Sequence, residues 1–221
     1  MTQPETEIRR AWRQIAGRHH DGYVDDLLIR YGEPHRHYHT ATHIMFVVRH
    51  LRDLAPAPSE LSPEIIAAAL YHDAIYDPTA PDNEARSAMI AAVDLAAIGW
   101  SAESCGRVAA LNRATAGHLD APAADEPGNA AGETAVLLDA DLAILGADPG
   151  AYQTYVNGVR AEYGHVDDEQ WRRGRAAVLQ RFLARSRLFV TDRMYAAFEH
   201  RARANIEAEL AVLLHDPARN D

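Results

Sequence analysis

Lysine is absent: all 22 basic residues are arginine. A phosphate contact through a basic side chain must therefore be a guanidinium contact. Cysteine is nearly absent too. Cys105 stands alone, which excludes an internal disulfide and fits a reducing compartment. No apolar run approaches the ~18 residues that a membrane-spanning helix requires. The opening segment, MTQPETEIRRAW, lacks the apolar stretch of a signal peptide, so a cytoplasmic location is expected. Positive charge is in deficit, with a net charge of −10. Duplex nucleic acid is thereby disfavoured as the main partner, because its phosphates would meet a repulsive field unless a local basic patch opposed it. Alternating strand-like runs of Val, Ile and Thr are missing as well.

Helical periodicity recurs instead from end to end, in a chain dominated by Ala, Leu, Arg and Glu. Its length of 221 residues and 48% hydrophobic content suit one domain with a real core. The pattern predicts helices near 4–17, 22–31, 40–54, 63–76, 83–98, 102–116, 132–145, 149–163, 168–185 and 193–214. Ser62-Pro63-Glu64 reads as a cap, a first-turn proline and an early acid. Asp148-Pro149 repeats that signal, and Asp167 with Gln170 resembles a capping box. Gly99, Gly117 and Gly146 follow periodic stretches, where a left-handed terminal residue is expected. Residues 117–132 read as a loop. Trp12, Trp100 and Trp171 read as core anchors.

Three segments place ionisable side chains in apolar helices. The first is EPHRHYHTATHIMFVV, which carries His35, His37, His39 and His43, with His50 beyond. His39 and His43 are four apart and would share a helix face. Ile44, Val47, Val48 and Leu51 form an apolar stripe on that helix, so histidines there need polar partners or a metal. The second segment is IIAAALYHDAIY. Its dipeptide His72-Asp73 has two copies elsewhere, but His20-Asp21 precedes a glycine in a turn and His215-Asp216 lies in a polar tail. Only His72-Asp73 interrupts an apolar helix, where an ionisable pair is costly unless neutralised or bound. The competing reading is a solvent-facing pair at a helix end. The third segment, AVLLDADLAIL, offers Asp139 and Asp141. These point roughly 200° apart on a helix, so only one can face a given partner. One metal site explains three polar intrusions more economically than three separate accidents.

The order His43…His72-Asp73…Asp141 resembles the HD-domain superfamily of metal-dependent phosphohydrolases. The longer pattern EPHRHYH…HDAIYDP…DNEARSA…LDADLAILG resembles a bacterial subgroup of that superfamily, most closely over residues 31–146. The resemblance implies a single all-α HD-like helical bundle of about ten helices over residues 1–221. Its metal-site core would span about 31–146, with further helices over 149–214. It also implies His43, His72, Asp73 and Asp141 as ligands of a divalent metal, with Asp141 preferred for its Ala-Asp-Leu setting over the alternative Asp139. The segment Tyr38-His39-Thr40-Ala41-Thr42-His43 is similar to the first metal-site segment of cyclic nucleotide phosphodiesterases. By that resemblance His39 is a general acid. The phosphodiesterase pattern would continue to a second histidine where Tyr76 stands, which argues against a closely similar two-metal site.

The implied activity is hydrolysis of a phosphate ester or anhydride of a small metabolite, with nucleotides the leading class. His39 and Asp73 are the expected catalytic residues. Two imidazoles and two carboxylates suit Mn, Fe, Co, Ni, Zn or Mg. Arg36, Glu84, Arg86 and His118 are candidate substrate contacts, Asp82 a helix cap, and Tyr38 and Tyr76 packing or base-stacking residues. A homodimer through the C-terminal helices is compatible with the sequence. Two other functions stay open: an HD-fold di-iron oxygenase, which would need extra ligands with His118 and Glu84 as the candidates, and a metal- or ligand-binding module without catalysis.

Overall fold

The computed structural model describes residues 1–55, 61–117 and 129–215. Ten α-helices and no strand occur among the described residues. They are α1 Gln3–Ala16, α2 Asp21–Arg30, α3 Ala41–Leu54, α4 Pro63–Tyr71, α5 Asn83–Ala97, α6 Ala102–Ala114, α7 Asn129–Asp141, α8 Pro149–Glu162, α9 Asp168–Ala184 and α10 Asp192–Leu214. No helix of the described residues is long and apolar enough to cross a membrane. The sequence suggests one domain, whereas the contacts divide the chain into two compact units, Met1–Asp141 and Leu142–Asp221.

In the first unit α4 is buried along its length from Glu64 to Tyr71. It packs against α1, α3, α5, α6 and α7. Its small and aliphatic side chains, Ile65-Ile66-Ala67-Ala68-Ala69-Leu70, let neighbours approach from all sides. Complete burial of each Ile or Leu contributes roughly 1.5–3 kcal/mol. The helix starts where Ser62 accepts a hydrogen bond from the Ile65 amide at 3.2 Å. The apolar stripe of α3 is buried at Ile44, Val47, Val48 and Leu51. Trp12 is fully buried, whereas Trp100 and Trp171 are half-buried.

Several sequence expectations change. α7 runs Asn129–Asp141 instead of 132–145, so residues 129–132 of the expected loop are helical, while 118–128 lie outside the described residues. α4 ends at Tyr71, five residues before the expected position 76. Beyond it, backbone groups that a continuing helix would use are taken by tertiary partners. Arg36 donates to the Asp73 and Ala74 carbonyls, and the Ile75 amide donates to Ser87 Oγ. Pro78 further disfavours helix at Asp77. Among the three expected terminal glycines only Gly99 is left-handed, with φ +92°. Gly117 closes a 3₁₀ turn. Gly146 is needed for close approach instead: a Cβ there would lie 2.7–2.8 Å from Phe198 atoms.

The second unit contains a 3₁₀ turn at Leu142–Gly146 followed by α8, α9 and α10. Asp148 caps α8 by accepting from the Gly150 and Ala151 amides, both at 3.1 Å. Asp167 caps α9 by accepting from the Gln170 amide at 2.8 Å.

Candidate metal centre

Three helices of the first unit deliver four side chains to one point. His43 lies in the first turn of α3. His72 is the C-terminal cap of α4, followed directly by Asp73. Asp141 is the last residue of α7. His43 Nε2 lies 3.2 Å from His72 Nε2, 3.4 Å from Asp73 Oδ2 and 3.0 Å from Asp141 Oδ1. His72 Nε2 lies 3.2 Å from Asp73 Oδ2 and 3.5 Å from Asp141 Oδ1. Both imidazoles are buried, and the two carboxylates are slightly exposed. His72-Asp73 thus sits at a helix end, as the competing reading has it, yet His72 is only 1% exposed.

The tautomer of His72 follows from its other nitrogen. Nδ1 lies 3.0 Å from the Ala69 carbonyl, which can only accept. Nδ1 therefore carries a proton, and in the neutral ring Nε2 presents its lone pair to the cluster. Metal-binding histidines are oriented in this way.

Burial, the largest single influence on each of these groups, opposes charge on them. It is outweighed at His43, whose pKa is raised by the Asp141 and Asp73 carboxylates. His72 is raised well above the usual imidazole range by the charges of Asp73 and Asp141. Asp73 is held well below the usual carboxylate range, first by the charge of His72 and then by hydrogen bonds from His43 and His72. The cluster thus favours positive charge at its centre: protons on the imidazoles supply it without an ion, and a divalent cation could take the place of those protons. Metal–nitrogen and metal–oxygen bonds of about 2.0–2.2 Å put neighbouring ligand atoms about 3.0–3.5 Å apart. The five separations of 3.0–3.5 Å fit a divalent ion.

Other expected residues are placed unevenly. Asp141 is the α7 carboxylate that meets the imidazoles, while Asp139 is buried on the same helix. His39 does not share a helical face with His43. Thr40 caps α3 by accepting from the Thr42 amide at 3.3 Å, so His39 lies outside the helix. It is nevertheless close, with its ring 5.7 Å from that of His43 and stacked on Tyr76 at 4.2 Å. The Tyr38 ring lies 4.9 Å from the rings of both His39 and His43. His35 is exposed and bonds the Tyr76 carbonyl at 2.8 Å, while His37 is exposed and His50 half-buried.

Arg36 is a correction. Its side chain is 0% exposed, and its nitrogens are engaged by the carbonyls of His39, Asp73 and Ala74 and by Glu33. A guanidinium so enclosed is not placed to contact substrate. Glu84, half-buried, and Arg86, exposed, lie in the opening turn of α5 rather than in the four-residue cluster. Asp82 occupies the cap position of α5 without a side-chain capping bond. The entry is held by Asn83, which exchanges hydrogen bonds with the Asp77 backbone at 2.8 and 3.0 Å. His118 lies outside the described residues. His20 is half-buried beside an Asp21 that pairs with Arg13, and His215 is exposed at the end of α10.

Sequence reasoning missed Tyr31 and Ser87. Tyr31 is buried and donates to the Leu70 carbonyl at 2.8 Å. Ser87 accepts from the Ile75 amide at 2.9 Å and donates to the Ile75 carbonyl at 3.3 Å. Both fasten the chain around His72-Asp73. A buried serine in α5 was the available signal for one; nothing local marks the other.

Fold and site together define an all-helical protein with a buried two-histidine, two-aspartate cluster. Neither a protein-family model, nor a curated protein, nor a solved structure matches the chain.

Proposed function

We propose that the chain is a divalent-metal-dependent phosphohydrolase. Its substrate would be a phosphate ester or anhydride of a small metabolite, with nucleotides the first class to test. The observation that carries the reading is the convergence of His43, His72, Asp73 and Asp141 at 3.0–3.5 Å. These four residues would hold the ion. When bound, a divalent ion supplies acidified water and offsets charge on phosphoryl oxygens.

The chain's own residues do the rest. Asp73 meets the imidazoles through Oδ2, and its second oxygen would orient the attacking water by hydrogen bonding, the water's proton passing to solvent. His39, whose ring lies beside that of His43, gives a proton to the leaving oxygen as general acid. Tyr76 supports the His39 ring by stacking. The buried wall of α4 and α3 limits water around the imidazoles. Guanidinium contact with substrate falls to exposed Arg86 rather than to Arg36.

The test is metal analysis of the purified protein, then phosphate release from a panel of phosphate esters and nucleotides with added Mn²⁺ or Mg²⁺. Turnover that His72→Ala removes together with the metal supports the reading. Absence of phosphate release from the whole panel overturns it. Two bound irons with oxygen consumption would replace it with the oxygenase reading.

A further inference from the structure

Arg36 joins the two segments that carry the site. Its NH1 donates to the His39 carbonyl at 3.0 Å and to the Asp73 carbonyl at 2.8 Å. NH2 donates to the Ala74 carbonyl at 3.2 Å, and Nε to Glu33 Oε2 at 3.0 Å. The guanidinium lies close to two aromatic rings, 5.3 Å from the centre of Tyr31 and 5.5 Å from that of Tyr76. Tyr76 in turn stacks on His39 at 4.2 Å.

One planar cation therefore holds the loop that leads into His43 and the turn that contains Asp73. The Asp73 and Ala74 carbonyls lie just past the C-terminal end of α4, where the helix dipole adds to the attraction for a cation. A flat fork with five N–H donors can serve three carbonyls and a carboxylate at once; a lysine ammonium, with three donors on a flexible stem, cannot.

We propose that Arg36 is a positioning residue for the metal centre. It sets the separation between the His43 segment and the His72-Asp73 turn, and through Tyr76 it fixes where His39 stands. The inference rests on the metal-binding part of the function proposed above and is independent of the phosphate chemistry. Ligand atoms must sit within a few tenths of an ångström of their places to bind an ion tightly. Residues that hold ligands in position typically govern metal affinity by about 10–100-fold.

The experiment measures Mn²⁺ and Zn²⁺ affinity of the full chain by competition with a chromophoric chelator, beside the melting temperature of the metal-free protein. Arg36→Lys is expected to weaken metal binding by about 10–100-fold. Val108→Ala, a cavity variant at a buried position of α6, is the stability control and is expected to melt lower with unchanged affinity. Glu33→Ala removes the carboxylate that Arg36 Nε bonds, at a half-exposed position, and is expected to weaken binding about 3-fold, below the effect of a full second-sphere loss. Should Arg36→Lys fail to fold, Glu33→Ala decides. Wild-type affinity in Arg36→Lys, or in Glu33→Ala where that variant decides, overturns the inference. So does a loss no larger than Val108→Ala shows at equal destabilisation. A wild-type protein that binds neither ion overturns the inference and the proposed function together. A protein that binds metal, loses affinity on Arg36→Lys and hydrolyses nothing overturns the proposed function alone.

Discussion

Each of the two units buries a cluster of ionisable side chains, and the clusters differ in what completes them. In the second unit Arg175 donates to both oxygens of Glu209, at 2.7 and 3.1 Å. Tyr152 donates to the same carboxylate at 2.5 Å, and Arg175 donates to Tyr155 at 3.0 Å. Donors match acceptors and cation matches anion, so nothing further is called for. In the first unit two imidazole nitrogens and two carboxylate oxygens face one another. One imidazole already has its N–H committed to Ala69. The difference shows that burial of charge does not by itself mark a site. Ligand-type nitrogens and oxygens converging on a common centre are the better sign.

Charge follows the same division. Residues 1–141 contain 11 Arg against 21 Asp and Glu, whereas residues 142–221 contain 11 of each. The whole net charge of −10 thus belongs to the site-bearing part. That field attracts a metal cation and repels an anionic substrate, so turnover is expected to depend on metal to offset the charge.

The largest effect comes from removing a ligand. His72→Ala or Asp141→Ala is expected to lower metal affinity and turnover by more than about 100-fold, beyond the loss of a supporting residue. The metal-free fold should survive, because His43 still meets both carboxylates when His72 is removed. Metal analysis and calorimetry on the same samples check this. Arg175→Met should behave in the opposite way. It leaves Glu209 buried and unpaired, at a cost of about 3–5 kcal/mol, while metal content stays the same. Arg175→Met with Glu209→Leu should recover most of that stability. Loss of metal in Arg175→Met, or equal destabilisation in His72→Ala, would break the comparison.

A smaller effect is expected from the ion itself. Mn²⁺ or Zn²⁺ at 100 times its Kd should stabilise the wild type by about 2.7 kcal/mol. His72→Ala should lose that increment, while Arg175→Met should keep it relative to its own metal-free form. Thermal melts with and without chelator measure both.

Much of this division was legible in the sequence, for a physical reason. Ionisable residues inside apolar helical runs are costly, so His43, His72 and Asp73 stood out from the exposed histidines around them. Choosing Asp141 over Asp139 required the family resemblance, because helix rotation separates the two without saying which faces inward. The helices were legible because caps such as Ser62 and Asp148 flank clear periodicity. The stop at Tyr71 was not, since it depends on carbonyls claimed by Arg36 from a segment 37 and 38 residues away in sequence. Arg36 was misread for the same reason: a guanidinium beside a histidine cluster looks the same in sequence whether it faces phosphate or backbone. The boundary at Asp141–Leu142 was hidden because it falls within the apolar run LLDADLAIL, with no linker composition to mark it.

The smallest effects compare glycines that read alike in sequence. Gly99 in the first unit has φ +92° and open space around its absent Cβ. Alanine there is strained only in its backbone, at about 1–2 kcal/mol. Gly146 in the second unit has no positive φ, but its added methyl would meet Phe198. Alanine there overpacks the contact, at about 1–3 kcal/mol. Gly117 has neither constraint, and Gly117→Ala should stay within about 0.5 kcal/mol of wild type. The two costly cases separate on a second substitution. Phe198→Leu should restore stability to Gly146→Ala by making room, and should do nothing for Gly99→Ala. Chemical denaturation of the single and double variants reads this directly. Equal behaviour of Gly99→Ala and Gly146→Ala toward Phe198→Leu would show that both glycines are kept for the backbone, as the sequence alone suggests.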